Sequence, residues 1–362
     1  MIEYENLKKT NKFFLNKFKE EYKKFSSRGQ YVLSEKVLNF EKNFSSFLNA
    51  SFCSGVGNGL DALILSLESL KLPKDSEVIV PANTYYATIL AVLRCGLKPV
   101  LVEPDYYTCN IDYKEIVKKI TKKTRVILVV HLYGKVCEME PIIEICKEHK
   151  LYLVEDCAQA HGAKYKNKFA GTFGDFGCFS FYPTKNLGCL GDGGAVISKK
   201  KIDDRSIKLL RNYGSVERYK NEIVGFNSRL DEFQAAFLNI KLKYLNKINA
   251  HKRNLALIYN KKLNNRFVKP VTKKDYFDVF YIYNVRSHNR DKLQKFLRER
   301  KIITDIHYPL PPYKQNAIKA LFENQKFPIS DEIHKTTLSL PISYMNTEKE
   351  VEKVSDIANK FI

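Results

Sequence analysis

Short apolar runs alternate with segments of helical periodicity across residues 77–155, and this alternation constrains the fold more than any other feature of the chain. The apolar runs predict buried strands at 77–81, 99–102, 125–131 and 151–155. Helices are predicted between them, at 88–95, 113–120 and 141–149. Strands and helices in alternation build a mostly parallel sheet covered by helices, with ligands at the carboxyl ends of the strands. The sequence therefore predicts an α/β fold.

The flanking segments predict packing helices and a second domain. Before the alternation, the pattern predicts helices at 3–25 and 34–47, with a break at 28–31 between them. After it, helical periodicity runs from 233 to about 263, followed by a strand at 279–285 and a helix at 291–300. A helical segment of that length can connect two domains. We therefore predict a large domain over 1–245 and a smaller α+β domain over 246–362.

The composition is that of a soluble globular protein of 362 residues, with 44% hydrophobic and 28% charged residues. No apolar run has the length that spans a bilayer, and the N-terminal segment lacks the apolar centre of a signal peptide. The eight cysteines form no C-x-x-C pair and no zinc-like spacing with histidine. These features predict a cytoplasmic protein with reduced, buried cysteines, no metal and no membrane contact.

The formal net charge of +21 raises the question of an anionic partner. The lysines are spread from end to end and are accompanied by acids, as in KEEYKK at 19–24, instead of forming one basic stripe. This distribution favours a lysine-rich composition over nucleic-acid binding. Attraction of a nucleotide diphosphate remains open as a second explanation of the charge.

A glycine-containing loop at 55–59 follows the segment 51–54 and precedes an apolar helix predicted at 60–70. A loop that opens a helix offers free N–H groups and the positive end of the helix dipole, which suits a phosphate. The G-x-G-x-x-G pattern of dinucleotide-binding folds is absent here. The loop alone is a weak signal.

One lysine lies in an apolar, glycine-rich stretch, FGCFSFYPTKNLGCLGDGGA at 176–195. A desolvated lysine such as Lys185 can form a Schiff base with a carbonyl compound. Upstream, the apolar run 150–156 ends in two acids, the last of which is Asp156. Pyridoxal phosphate enzymes need a lysine for the Schiff base and a carboxylate that keeps the pyridine nitrogen protonated. Lys185 and Asp156 fit these two roles, although a surface lysine and a turn aspartate are the alternatives.

Three long motifs resemble the DegT/StrS family of nucleotide-sugar aminotransferases. They read VEDCAQAHGA at 154–163, GDFGCFSFYPTKNLGCLGDGGA at 174–195 and GFNSRLDEFQAAFL at 225–238. Their order and spacing match the family over nearly the whole chain. The resemblance implies the fold-type-I architecture, pyridoxal 5'-phosphate as cofactor, and transfer of an amino group from glutamate to a keto sugar carried on a nucleotide.

The resemblance also assigns roles to individual residues. Lys185 would carry the cofactor and move the proton, and Asp156 would pair with the pyridinium nitrogen. The other implied cofactor contacts are Gln159 near the ring hydroxyl, Tyr85 stacked on the ring, and Ser180, Gly57, Asn58 and Gly59 at the phosphate. The family usually has Ser, Thr or Ala where this chain has Asn58 and Gly59. Asn227 would reach the phosphate from the other subunit, which implies a homodimer with shared active sites.

Two further stretches, 211–220 and 306–313, resemble the branch of the family that acts on dTDP-3-keto-6-deoxyhexoses. Arg218 and Lys220 could meet the diphosphate, while Tyr213, His307 and Tyr308 could line a sugar pocket. The implied product is a dTDP-3-amino-3,6-dideoxyhexose for surface glycan biosynthesis. Ordinary loop residues are the alternative for each of these positions.

Other functions stay open at this point. An aminotransferase acting on a 4-keto nucleotide sugar differs only in regiochemistry. A dehydratase branch of the family has histidine where this chain has Lys185, and a short-chain dehydrogenase needs Tyr-x-x-x-Lys, whereas Tyr182 and Lys185 lie one residue too close. A basic nucleic-acid-binding or pyridoxal-phosphate-sensing protein is the non-enzymatic alternative.

Overall fold

A computed structural model describes residues 1–361 of the chain. The helices are α1 Leu7–Lys12, α2 Leu15–Arg28, α3 Glu35–Phe47, α4 Gly59–Ser69, α5 Tyr86–Arg94, α6 Tyr113–Val117, α7 Met139–His149, α8 Lys201–Leu210, α9 Glu232–Leu242, α10 Leu245–Lys262, α11 Arg290–Glu299, α12 Pro328–Thr336 and α13 Glu348–Ala358. The strands are β1 Phe52–Val56, β2 Glu77–Pro81, β3 Lys98–Val102, β4 Thr124–Val130, β5 Tyr152–Asp156, β6 Lys164–Tyr165, β7 Lys168–Phe169, β8 Phe176–Ser180, β9 Gly194–Ser198, β10 Ser215–Glu217, β11 Lys220–Asn221, β12 Tyr276–Phe277, β13 Tyr283–Arg286 and β14 Thr337–Leu340.

The central element is a seven-stranded sheet in the order β1-β9-β8-β5-β4-β2-β3. Strand β9 pairs antiparallel with both β1 and β8, while the remaining pairings are parallel. The strands β2, β4 and β5 are buried along most of their length, as continuous apolar runs in a parallel sheet require. Helices cover both faces and enclose two apolar cores, one on each side of the sheet. The predicted α/β fold is confirmed.

A third apolar core lies in the C-terminal part of the chain, between α10, α11, α13 and the β13–β14 pair. Helix α10 connects the cores, because Leu245 at its start belongs to the sheet core and Tyr259 near its end belongs to the third core. Ile2 is buried in this third core as well and bridges to Ile302. The division at residue 245 stays a prediction.

The structure differs from the predicted elements in three ways. The predicted helices 3–25 and 233–263 are each two helices, and the two breaks meet where Tyr244 packs its ring against Phe13 and Phe14. The segment 51–54, predicted to enter a loop, lies mostly in strand β1, because residues 52–56 pair with β9 along the edge of the sheet.

The third difference is the predicted strand 279–285, which is regular only from Tyr283. Upstream of that residue, the Val279 N–H donates to the carbonyl of Gly134, 2.9 Å away, and Phe280 has a φ of 44°. The chain therefore follows the turn after β4 instead of a partner strand.

None of the helices in residues 1–361 combines the length and the apolar character needed to cross a membrane.

Candidate active site

A cavity of about 620 Å³ opens at the carboxyl ends of β5 and β8. Its volume lies in the range of sites for small molecules and cofactors. Nine of the residues predicted as site residues line it: Asn58, Gly59, Tyr85, Asp156, Gln159, Ser180, Lys185, His307 and Tyr308. The sheet therefore brings together side chains that are separated by up to 250 positions in the sequence.

Asp156, the last residue of β5, presents a buried carboxylate to this cavity. Its Oδ2 accepts a hydrogen bond from the Thr88 hydroxyl at 2.9 Å, and its Oδ1 accepts the Ala158 N–H at 3.1 Å. Burial raises the pKa of Asp156, and the two hydrogen bonds offset only part of that rise. A cationic group in the cavity would stabilise the ionised carboxylate, as the pyridinium assignment requires.

Lys185 lies on the turn after β8, where its N–H donates to the carbonyl of Tyr182 at 2.9 Å. The Nζ of Lys185 lies 4.3 Å from the centroid of the Tyr281 ring, within cation–π distance. The hydroxyl of Tyr281 is 2.9 Å from the Thr184 hydroxyl, which ties the same ring to the turn. The amine is thus half-buried against an aromatic face and available to the cavity.

The start of α4 forms the opposite end of the cavity. Asn58 is the N-cap of this helix, and its side chain accepts the Asp61 N–H at 2.8 Å. Gly59 packs so closely on β8 that a Cβ there would lie 2.5 Å from the Ser180 Cβ. The first N–H groups of a helix have no partner within the helix, and together with the Ser180 hydroxyl they suit an anion.

Gly57, which the resemblance places at the phosphate, lies two residues before α4. It lies outside the residues that line the cavity, and its N–H donates to the Ser228 hydroxyl at 3.0 Å. That hydroxyl donates in turn to Asp61 Oδ2 at 2.6 Å. In this structure Gly57 therefore shapes the turn before α4, and its predicted contact with phosphate stays a prediction.

One wall of the cavity connects the sheet to the C-terminal part of the chain. Gln159 accepts the Tyr133 N–H at 2.6 Å and donates to the Tyr308 hydroxyl at 2.9 Å. The rings of Tyr308 and Tyr85 lie 5.1 Å apart, so that both aromatic candidates face the same space.

His307, next to Tyr308, is fixed by two hydrogen bonds. Its Nδ1 lies 2.9 Å from the Ser339 hydroxyl, and its carbonyl accepts the Tyr133 hydroxyl at 2.5 Å. Burial lowers the pKa of His307, so its imidazole is neutral at pH 7.

The remaining predicted residues lie on an exposed excursion between α8 and α9 that contains the β10–β11 pair. Tyr213, Arg218, Lys220 and Asn227 are exposed and do not line the cavity of their own chain. Lys220 forms a salt bridge with Glu217, and the Arg218 guanidinium lies 4.9 Å from the Tyr219 ring centroid. Val224 is 95% exposed. The predicted roles of these residues require the excursion to reach a cavity other than its own.

Sequence reasoning missed three side chains at the site: Thr88, Thr184 and Tyr281. The sequence pattern predicts Thr88 as part of a helix and gives it no role in the site. Its position three residues after Tyr85 on α5, one turn further along, was the available signal that it faces the same side. Tyr281 carried no signal, because its segment alternates like an ordinary strand.

A buried cluster of His131, Glu155 and Cys157 lies behind the site, with side-chain atoms within metal-binding distance of one another. The Nδ1 of His131 accepts the Cys137 N–H, so its Nε2 carries the proton and donates to Glu155 at 2.8 Å. The Glu155 carboxylate also accepts the N–H groups of residues 171, 173 and 174. The three groups are thus engaged in hydrogen bonds within the protein.

A mostly parallel α/β sheet that presents a lysine amine, a buried carboxylate and a helix N-terminus to one cavity defines the class of fold-type-I pyridoxal phosphate enzymes. The chain belongs to the DegT/DnrJ/EryC1/StrS aminotransferase family, which matches residues 15–358. Pyridoxal phosphate is the cofactor of this family. The predicted family, enzyme class and cofactor are confirmed.

Curated relatives and solved structures agree with this assignment. The chain is 44% identical to a dTDP-3-amino-3,6-dideoxy-alpha-D-galactopyranose transaminase of Aneurinibacillus thermoaerophilus, over 100% of this chain and 99% of the relative. It is 40% identical to a dTDP-3-amino-3,4,6-trideoxy-alpha-D-glucose transaminase of Streptomyces venezuelae, over 87% of this chain and 84% of that protein. The crystal structure of S. venezuelae DesV in complex with a ketimine intermediate has a TM-score of 0.97 at 36% identity, over 99% and 98% of the two chains.

Proposed function

We propose that this protein transfers an amino group from glutamate to a dTDP-3-keto-6-deoxyhexose and produces a dTDP-3-amino-3,6-dideoxyhexose. The observation that carries the proposal is the single cavity that holds Lys185, Asp156 and the start of α4 together. The regiochemistry is supported by the 44% identical relative, whose name places the amino group at C3 of a dTDP-linked 6-deoxy sugar.

The residues in the cavity fit pyridoxal phosphate in size and chemistry. Asp156 offers a carboxylate to a ring nitrogen, and Lys185 offers the amine that carries the cofactor. At the start of α4, Gly59 has no Cβ and therefore packs directly on Ser180. The first backbone N–H groups of the helix can then approach a phosphate closely. When bound, pyridoxal phosphate supplies the electron sink for the reaction.

The chain's own groups then divide the work. Asp156 would place its negative charge against the ring nitrogen, and the Thr88 hydroxyl and Ala158 N–H orient that carboxylate. Lys185 Nζ would take up a proton from the amino donor and release it again, since a base within reach of the reacting carbon is needed for this transfer. Tyr85 and Gln159 would help to hold the ring.

The sugar would occupy the part of the cavity nearest His307 and Tyr308. A neutral imidazole and a phenol can donate and accept hydrogen bonds with hydroxyl groups without attracting a counter-charge. Arg218 and Lys220 would meet the diphosphate of a nucleotide sugar bound to a neighbouring subunit, and Asn227 would reach that subunit's cofactor phosphate. These roles make the protein a homodimer with two shared active sites.

The experiment that tests the proposal combines spectroscopy with a substrate panel. The purified protein incubated with pyridoxal phosphate should gain a near-ultraviolet or violet absorbance band, and Lys185→Ala should lose both the covalent link and turnover. Glutamate is then supplied with dTDP-3-keto, dTDP-4-keto and UDP-linked keto sugars, with gluco and galacto forms of the first. We expect amination of the dTDP-3-keto substrate. Amination of a 4-keto sugar alone would refute the regiochemistry, and a wild-type protein without the band would refute the enzyme.

A further inference from the structure

Lys252 on helix α10 is a buried lysine next to the turn that carries Lys185. Its side chain belongs to a residue that is 4% exposed, and its Nζ donates to Asn186 Oδ1 at 2.8 Å and to the Tyr281 carbonyl at 3.1 Å. Within residues 1–361 no carboxylate forms a salt bridge with it. Burial lowers the pKa of Lys252 to about 8, against an opposing effect of the Glu5 charge, and the charge of Lys185 lowers it by a smaller amount.

Lys252 is connected to both neighbours of Lys185 in the sequence. Asn186, which follows Lys185, receives the direct hydrogen bond from Lys252. Thr184, which precedes Lys185, bonds to the hydroxyl of Tyr281, whose carbonyl is the second acceptor of Lys252. The turn that presents the reactive amine is therefore held at two points that both lead to one side chain.

The hydrogen-bond network continues behind the turn and also engages the amide nitrogen of Asn186. Asn186 Nδ2 donates to Asn249 Oδ1 at 2.9 Å and to the Val279 carbonyl at 3.1 Å. Asn249 lies on α10 as Lys252 does, and it donates to the His161 carbonyl at 2.8 Å. Because each amide is engaged on both sides, removal of the Lys252 ammonium leaves the Asn186 oxygen as a buried acceptor without a donor.

The two lysines also share one aromatic ring. Lys185 Nζ lies 4.3 Å and Lys252 Nζ 5.6 Å from the centroid of Tyr281. The Tyr281 ring therefore contacts both side chains, and a shift of this ring on loss of Lys252 would reach the Lys185 amine.

We propose that Lys252 is a positioning residue for Lys185, which fixes the turn that carries the reactive amine through Asn186 and Tyr281. The proposal rests on the proposed aminotransferase function for its kinetic consequence only. The geometric part concerns the cofactor-free protein as well. Lys252 does not line the cavity and touches none of the reacting atoms.

The chain offers a matched control in Lys241 on α9. Lys241 is also buried, and burial lowers its pKa to about 8 as well. Its Nζ donates to the Gly188 carbonyl at 2.6 Å and to Asn11 Oδ1 at 3.3 Å, and its cation–π neighbour is Phe14 instead of Tyr281. Lys241→Met therefore reproduces the loss of a buried ammonium without removing a contact to Thr184, Lys185 or Asn186, since its bond reaches the chain at Gly188.

The experiment compares Lys252→Met, Lys252→Arg and Lys241→Met. In the cofactor-free protein, hydrogen exchange of the backbone amides at 184–187 is followed by mass spectrometry. We expect Lys252→Met to accelerate this exchange about tenfold or more, since the turn loses the side chain to which both of its anchors lead. Lys252→Arg keeps a buried donor and should restore most of the protection, and Lys241→Met should leave it unchanged.

The holoenzyme supplies the second measurement. With pyridoxal phosphate bound, Lys252→Met should lower kcat by about 10- to 100-fold with little change in KM, because misplacement of the amine affects the chemical step more than substrate binding. Unchanged exchange and kcat for Lys252→Met, or equal changes in Lys241→Met, would overturn the proposal. If Lys252→Met does not fold, Asn186→Ala, which removes one of the two anchors, takes its place, and unchanged exchange at the turn would overturn the proposal as well. The expected exchange differences in a protein whose wild type has no transaminase activity would refute the proposed function instead.

Discussion

At the scale of single residues, the carboxylate of Asp156 is the most demanding group in the molecule. It is buried, it receives only neutral donors from Thr88 and Ala158, and burial raises its pKa. In the absence of the cofactor it therefore costs stability whenever it is ionised. A bound cationic ring would offset this cost, because it would pair with the charge of the carboxylate.

Asp156→Asn should separate stability from activity. Asparagine can keep both hydrogen bonds, since the Thr88 hydroxyl can turn to donate to Thr84, 2.8 Å away, and accept from the new amide. The folded pKa of Asp156 lies above its unfolded value, so its stability contribution is full below the unfolded pKa and is lost as the pH rises from that value through the folded pKa. We therefore expect the cofactor-free variant to melt at a higher temperature than wild type at pH 8, with a smaller difference near pH 5.

The same variant should lose about 100-fold or more in kcat, as removal of a preorganised charge partner does in other sites. Calorimetry of both cofactor-free proteins at the two pH values, and steady-state kinetics of the loaded ones, provide the check. An unchanged kcat would remove Asp156 from the pyridinium role, and a lower melting temperature at pH 8 would contradict the cost of its charge.

Sequence reasoning found the residues that carry chemistry and missed those that orient them. Lys185 and Asp156 could be predicted because Lys185 lies inside an apolar, glycine-rich stretch, Asp156 ends an apolar run, and the family motifs cover both. Tyr281 and Lys252 could not, since their contacts join segments about 70 to 100 positions away in the chain, and nothing local distinguishes them from an ordinary strand tyrosine and helix lysine.

At the scale of elements, the junction of α4 with β8 decides whether an anion can be bound. Gly59 begins the helix and lies directly against Ser180 at the end of the strand. The helix cannot move away, because its N-cap Asn58 is itself packed so closely on Gly194 that a Cβ there would lie 2.3 Å from the Asn58 carbonyl oxygen.

Gly59→Ala should therefore destabilise the protein by about 2 kcal/mol, in the usual range for overpacking, and weaken pyridoxal phosphate binding. Adding Ser180→Gly removes the Cβ that would be struck and should restore most of the stability. It should not restore cofactor affinity, since the serine hydroxyl is lost as well. Urea unfolding and equilibrium titration with the cofactor measure the two effects separately.

A Gly59→Ala variant with wild-type stability would show that β8 yields at this point, and full cofactor affinity in the double variant would exclude Ser180 and the helix start as the phosphate site. Ser180→Gly alone serves as the control.

The elements themselves were predicted well where the sheet dictates them and poorly where tertiary contacts divide them. The strand 77–81 has the predicted bounds because its residues are buried between neighbours on both sides. The break between α9 and α10 follows no glycine or proline, and it lies where Tyr244 packs on aromatic residues of the N-terminal helices. Such a break depends on a partner that no local pattern reveals.

At the scale of the whole molecule, the exposed excursion between α8 and α9 is the feature that one chain leaves unexplained. Tyr219 and Val224 are 85% and 95% exposed, although an aromatic and a branched aliphatic residue would normally be covered. A two-fold assembly would cover them and bring Asn227 to the second cavity.

Complementation tests this arrangement. Lys185→Ala and Asn227→Ala homodimers should both be inactive, and after subunit exchange their mixture should recover about a quarter of wild-type activity, since half the dimers are mixed and each of these has one intact site. The double variant mixed with either single variant contains no intact site and should recover nothing. Verified exchange without recovery would show that Asn227 and Lys185 serve the same chain's site or that Asn227 has no role.

The hydrogen bonds around Glu155 have a consequence for its neighbour. Successive residues of β5 point to opposite faces of the sheet, so Glu155 and Asp156 must face opposite ways, and a slip of one residue against β4 and β8 would exchange them. His131 and the N–H groups of residues 171, 173 and 174 all donate hydrogen bonds to the Glu155 carboxylate. These bonds lock the register of the strand. The two acids are equal in charge and alike in hydropathy, and exchanging them would not alter the composition of the chain. The exchange would nevertheless misplace both carboxylates.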